Sequence, residues 1–240
     1  MENLFVVLGG MGTMATESFV HQLNKNTQAE TDQDYLNYIV LNHATVPDRT
    51  AYILNQNQPN PVPMLKKDID QTKILNPDFY VLTCNTAHYF YDELIDDTNI
   101  EIKHMPKIAV ERINQQLSHH SNKQRVMILA TSGTIESGIY NKEIAKNKQL
   151  EAVVPDEKLQ QLVMSLIYDD IKEHNYLNNE KFNQIIQESF EKYSCDYVIL
   201  GCTELSLMQD KFPIKDDRVI DAQLELVRKV LRIYNKQKTE

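Results

Sequence analysis

Cysteine is scarce in this sequence, and the shortage excludes whole classes of protein. Three cysteines in 240 residues cannot staple a disulfide scaffold, and none stands in a CxxC pair or at zinc-ligand spacing. They are read as separate thiols. Long apolar runs are missing too, since no stretch approaches the roughly 18 to 20 apolar residues that span a bilayer. The opening Met1-Glu2-Asn3 lacks the basic start of a secretory signal, so a cytoplasmic location is expected. Positive charge is in deficit. A formal net charge of −9 disfavours nonspecific attraction to nucleic acid or to an anionic membrane surface. An anionic substrate would therefore need specific cations to offset the repulsion locally.

With 42% hydrophobic and 25% charged side chains, the chain can bury one sizeable core or two small ones. Short apolar runs rich in β-branched residues alternate with longer amphipathic segments, the pattern of βα units around buried parallel sheets. Strands are predicted at 4–8, 38–41, 79–83, 125–130, 152–154 and 197–200. Helices are predicted at 16–27, 63–75, 107–116, 136–145, 156–173, 180–192 and 222–234, and 55–63 reads as a polar surface loop.

A weak internal repeat organises these elements. The segment 79–86 (FYVLTCNT) resembles 197–204 (YVILGCTE), each a buried strand ending in a cysteine followed by small polar residues. The spacing suits two similar α/β lobes, each a parallel sheet flanked by helices. Residues 1–105 plus 212–240 are expected to form the first lobe and 106–211 the second. Ligands of open parallel sheets bind beyond the carboxyl ends of the strands. If the lobes face one another, Cys84 and Cys202 confront each other across one interlobe cleft.

Cys195 stands just before a strand without a polar motif and reads as a small buried hydrophobe. Cys84 and Cys202 read differently, because hydroxyl and amide side chains follow each of them. Inverting an α-carbon needs a base on one face and an acid on the other. A thiol, with a reference pKa of about 8.5, can fill either role after modest stabilisation by nearby N–H groups. Charge spreading into the substrate carboxylate would then be held by preorganised donors, for which Asn85, Thr86 and Thr203 are candidates. The same residues also suit helix capping.

Gly9-Gly10-Met11-Gly12 follows the first strand and permits close approach of a ligand, but lacks full GxGxxG spacing. Arg49, after the second strand, is placed to grip a carboxylate. Thr131 opens a turn that presents hydroxyls and N–H groups to an anion. Lys172 reads first as a helix-end lysine, and His88 as a structural histidine.

Taken together, GGMG at 9–12, PDRT at 47–50, TCNTAH at 83–88, ATSGT at 130–134 and GCTEL at 201–205 resemble the aspartate racemases of the aspartate/glutamate racemase superfamily. The resemblance covers nearly the whole chain. It implies two pseudo-symmetric lobes, an interlobe active site, a pyridoxal-independent two-base mechanism with no cofactor, a small acidic amino acid as substrate, and a homodimer. By motif position, it implies that Cys84 and Cys202 are catalytic and that Met11, Arg49, Asn85, Thr86, Thr131, Lys172, Thr203 and Glu204 bind substrate. Glu204 stands where glutamate racemases usually carry histidine, which favours aspartate or a broader acidic specificity. Thr13 departs from the family pattern, where proline is common. Two other readings stay open: a cysteine hydrolase with Cys84 as nucleophile and His88 as base, and a noncatalytic amino-acid-binding protein on the same scaffold.

Overall fold

Every residue from Phe5 to Gly9 is buried, so this run forms an inner strand of a parallel sheet covered on both faces. The computed structural model describes residues 2–96, 98–117 and 123–237. Around β1 (Phe5–Gly9) lie β2 (Tyr38–Asn42), β3 (Phe79–Leu82) and β4 (Glu101–Lys103), in the order β2-β1-β3-β4. A second sheet contains β5 (Gln124–Leu129), β6 (Leu150–Val153), β7 (Tyr197–Leu200) and β8 (Val219–Asp221), in the equivalent order β6-β5-β7-β8. All pairings are parallel. The expected α/β class with two helix-flanked parallel sheets is the one observed.

The helices are α1 (Thr13–Asn26), α2 (Arg49–Leu54), α3 (Val62–Thr72), α4 (Tyr91–Ile95), α5 (Met105–Gln116), α6 (Ser132–Ser137), α7 (Ile139–Ala145), α8 (Glu157–Ser165), α9 (Asn179–Glu191), α10 (Thr203–Lys211) and α11 (Ala222–Gln237). Helix α8 runs directly into a π-helical segment, Leu166–Glu173. Among the described residues, no helix is long and apolar enough to cross a membrane.

Alternation along the strands divides the interior into three parts. Phe5 and Val7 of β1, Phe79 and Val81 of β3, and Val126 and Ile128 of β5 point into one core shared by both sheets. Their neighbours point outward: Val6, Leu8, Tyr80 and Leu82 pack under α3 and α4, while Met127 and Leu129 pack under α8 and α9. Helices α1, α5 and α11 close the shared core, with α11 lying against both others and α10.

Several local expectations give way to tertiary effects. The sequence reading contains no β4 or β8, because each has only three residues, two of them charged in β4 and one in β8, and each lies at a sheet edge. The predicted helix 136–145 is two helices, since Gly138 at φ +64° stops α6 in the left-handed conformation. The predicted helix 156–173 changes from α to π after Ser165. Helix α1 starts at Thr13, earlier than expected, with Gly12 as its N-cap. Helices α2 and α10 were not foreseen as helices. In α10 the first six residues, Thr203 to Met208, are all buried, which erases the amphipathic stripe that signals a helix.

Candidate active site

Strands β1, β3, β5 and β7 deliver Met11, Cys84, Thr131 and Cys202 to the same carboxyl edge, and the facing sheets enclose a cavity between them. Its free volume is about 260 Å³. Every site residue singled out in the sequence lines it: Cys84 and Cys202, with Met11, Arg49, Asn85, Thr86, Thr131, Lys172, Thr203 and Glu204. Three lining residues were not singled out, namely Asp48, Thr50 and Tyr168. Asp48 and Thr50 flank Arg49 in PDRT. Tyr168 stands four residues before Lys172, a spacing that places two side chains on one helix face. Met11, Asp48, Arg49, Lys172 and Glu204 also border a wider outer vestibule of about 1050 Å³, where Met14, Val46 and Ile171 add apolar wall.

Each cysteine is 5% exposed, and their surroundings differ. The Arg49 guanidinium is electrostatically coupled to Cys84. Its guanidinium is locked by the backbone: Nη1 donates to the carbonyls of Val46 (3.1 Å) and Pro47 (3.0 Å), and Nη2 donates to that of Met11 (2.7 Å). Nε is buried and has no hydrogen-bond partner among the described residues. Burial works against the Arg49 charge, but Cys84 and then Asp48 more than compensate and raise its pKa. Asp48 caps α2 by accepting from the Ala51 N–H (2.7 Å) and accepts from the Tyr168 hydroxyl (3.3 Å).

On the other side, the Cys202 thiol donates to Glu204 Oε2 at 2.9 Å, and Thr203 Oγ1 donates to the same oxygen at 3.3 Å. Lys172 Nζ lies 3.6 Å from Glu204 Oε1 and 4.6 Å from the centre of the Tyr168 ring. Burial lowers the Lys172 pKa, yet Glu204, Cys202, Tyr168 and Cys84 together outweigh it and hold the ammonium charged. Burial, then Glu204, pushes the Cys202 thiol well above its ordinary value, against an opposing pull from Lys172. Burial also lifts Tyr168 to about 12.

The floor is a hydroxyl network. Thr131 accepts from Thr50 (3.1 Å), while Thr86 lies 3.1 Å from Thr131 and 2.8 Å from Thr134. Gly133 makes the network possible, because a Cβ there would lie 2.7 Å from Thr50 Cα. Asn85 receives a short hydrogen bond from the buried Tyr140 hydroxyl on its Oδ1. Its Nδ2 is buried without a hydrogen-bond partner among the described residues. Two donors, Arg49 Nε and Asn85 Nδ2, are thus unspent in residues that line a polar cavity.

His88 stands apart from this chemistry. Its Nε2 accepts from the Met105 N–H (3.1 Å), so Nδ1 carries the proton and donates to the Cys84 carbonyl (2.9 Å). Burial first, then neighbouring His104, lowers its pKa to about 3. It braces β3 against α5.

A sequence model described as Asp/Glu/Hydantoin racemase matches residues 8–230. The chain belongs to this racemase family. Within it, the chain is 27% identical over 236 residues to the broad specificity amino-acid racemase RacX of Bacillus subtilis strain 168, covering 95% of this chain and 96% of that one. The Picrophilus torridus aspartate racemase superposes with a TM-score of 0.81 at 25% identity, covering 97% of this chain and 94% of that one. The glutamate racemase of Francisella tularensis, solved with D-glutamate, shares the fold at a TM-score of 0.65 and 18% identity, with coverage of 99% and 83%. Amino-acid racemisation is the activity these relationships support.

Proposed function

We propose that this racemase-family protein interconverts the enantiomers of a small acidic amino acid, with aspartate the first substrate to test and glutamate the second. Cys84 and Cys202 are its acid/base pair. One observation carries the reading: two strand-end thiols from separate sheets line a single cavity that also holds Arg49 and Lys172. In the proposed reaction one cysteine, as thiolate, removes the α-proton while the other, as thiol, delivers a proton to the opposite face. Their roles exchange for the other enantiomer. Arg49 Nε–H and Asn85 Nδ2 are unspent donors suited to a carboxylate whose negative charge grows as Cα loses its proton. Lys172 supplies a second cation for a dicarboxylate. The mechanism asks nothing of a pyridoxal ring. A homodimer in the cytoplasm completes the proposal.

The hydrolase alternative needs His88 as a base for Cys84. Both ring nitrogens face backbone groups, and the low pKa leaves the ring neutral, which weighs against that role. A noncatalytic binding protein would have no use for a second buried thiol in the same cavity.

Proton NMR of L-aspartate in deuterated buffer with the reduced protein is the direct test. Loss of the α-proton signal together with appearance of D-aspartate supports the proposal. If aspartate is untouched, glutamate and a panel of neutral and basic amino acids come next, given the broad-specificity relative. Failure to exchange any of them would overturn the racemase reading.

A further inference from the structure

Glu204 does more in this structure than border the substrate cavity. Its Oε2 accepts the Cys202 thiol at 2.9 Å and its Oε1 faces Lys172 Nζ at 3.6 Å. Gly12 adjoins this carboxylate, since a Cβ there would lie 2.7 Å from Oε1. The glycine after Met11 thus makes room for Glu204 as well as for substrate. Cys84 is coupled electrostatically to two cations, Arg49 and Lys172.

We infer that Glu204 is a positioning residue that holds Cys202 as the protonated partner at rest, so that Cys202 starts as the acid and Cys84 as the base. The consequence for turnover rests on the racemase reading. The Cα–H bond breaks toward the Cys84 thiolate, and its electron pair stays on carbon. The Cys202 S–H bond then breaks and its proton forms the new Cα–H bond on the other face. This leaves a Cys84 thiol, and a Cys202 thiolate beside the Glu204 carboxylate. Like charges at hydrogen-bond distance oppose one another, so the spent form is driven to take up a proton at Cys202 and release one at Cys84. Glu204 thereby biases the resting enzyme toward the enantiomer whose α-hydrogen faces Cys84.

The ionisable groups facing Cys202 come from every side. Glu204 sits on its own helix, Lys172 and Tyr168 come from the π-helical segment, Tyr140 comes from α7 with Asp221 behind it, and Cys84 lies across the cavity. Lys172 and the Glu204 backbone N–H favour the thiolate, while burial and the Glu204 carboxylate favour the thiol.

With three cysteines in the chain, labelling with [13Cβ]cysteine gives one resonance per thiol, assigned by single Cys→Ser variants. In the unmodified protein the Cys202 carbon is expected to keep its thiol shift at about pH 8.5, the ordinary midpoint for a cysteine. A Cys202 thiolate at neutral pH would overturn the proposal without recourse to any Glu204 variant. In Glu204→Gln, which keeps an acceptor but removes the charge, the Cys202 midpoint is expected to fall by about one pH unit or more. Glu204→Asp is expected to restore most of the rise. An unchanged midpoint in a natively folded Glu204→Gln protein would also overturn it. The readout needs no substrate, so it stands or falls independently of α-proton exchange.

Discussion

Arg49 and Asn85 share a design in which one part of a side chain is spent on the protein so that another part can be aimed. Three backbone carbonyls take the Arg49 Nη groups, and the Tyr140 hydroxyl takes Asn85 Oδ1. What remains, Nε and Nδ2, is oriented before any ligand arrives, which lowers the entropy cost of binding. Lysine lacks the planar fork and cannot reproduce the Arg49 arrangement. Removing the Tyr140 hydroxyl frees Asn85 to rotate. Tyr140→Phe is therefore expected to raise KM by roughly 2- to 10-fold, the equivalent of about 0.5 to 1.5 kcal/mol for one hydrogen bond. Substrate titration in a polarimetric racemisation assay checks this. On the proposed two-thiol mechanism the stakes are larger at the cysteines. Cys84→Ser and Cys202→Ser should each lower kcat by about 10²- to 10⁴-fold, because a serine hydroxyl is a poor general base. Full activity in either serine variant would contradict the two-thiol mechanism.

At the scale of elements, two glycines 5 positions apart in chain order, Gly133 and Gly138, have different duties and should respond differently to alanine. Gly138 turns the chain between α6 and α7 at φ +64°, and no atom lies within 4 Å of the Cβ it lacks. Gly138→Ala should cost only the backbone strain, about 1 kcal/mol, and leave kinetics unchanged. At Gly133 the obstacle is Thr50 Cα, a backbone atom of α2 that cannot step aside. Gly133→Ala should push α6 from α2, break the Thr50–Thr131 hydrogen bond, and lower both melting temperature and activity. Parallel thermal melts and rate measurements separate the two cases. The π-helical segment also earns its place at this scale. It puts Tyr168 beneath the Lys172 ammonium and lets its hydroxyl reach Asp48, the N-cap of α2.

Across the whole molecule, a core shared by both sheets ties the two halves of the site together. Ile128 points into it, so Ile128→Ala should cost about 2 to 5 kcal/mol and be felt on both sides of the cavity. Calorimetry is expected to show one cooperative transition. Acid should destabilise the fold from a definite starting point. Burial first, then His104, lowers His88 from 6.5 to about 3. Burial first, then Lys146, lowers His104 from 6.5 to about 4. Between those limits the unfolded chain binds protons that the native state refuses. The stability is complete above pH 6.5 and is lost as pH falls toward about 4 and then about 3. His104 Nδ1 also caps α5 by accepting from the Lys107 N–H. His104→Asn keeps an acceptor at that cap, so melting temperature plotted against pH should fall less steeply for this variant; an unchanged slope would count against the assignment.

The inner strands and the strand-end motifs were legible in the sequence by itself. β1, β3, β5 and β7 are covered on both faces and so read as unbroken apolar runs, and a parallel sheet must put their carboxyl ends along one edge. That logic reached Met11, Cys84, Thr131 and Cys202 without coordinates, and the repeat of a cysteine after a buried strand paired the two thiols. Other features had no local signature. Two of the edge strands, β4 and β8, are too short and too charged to announce themselves, and α10 is buried on all sides of its first turns. Asp48, Thr50 and Tyr168 enter the cavity only because α2, α6 and the π-helical segment approach one another. Most of all, the partner of Glu204 was invisible in one dimension. Whether a carboxylate meets a substrate, a thiol or an ammonium depends on distances of a few ångströms, and packing sets those distances across elements far apart in the chain.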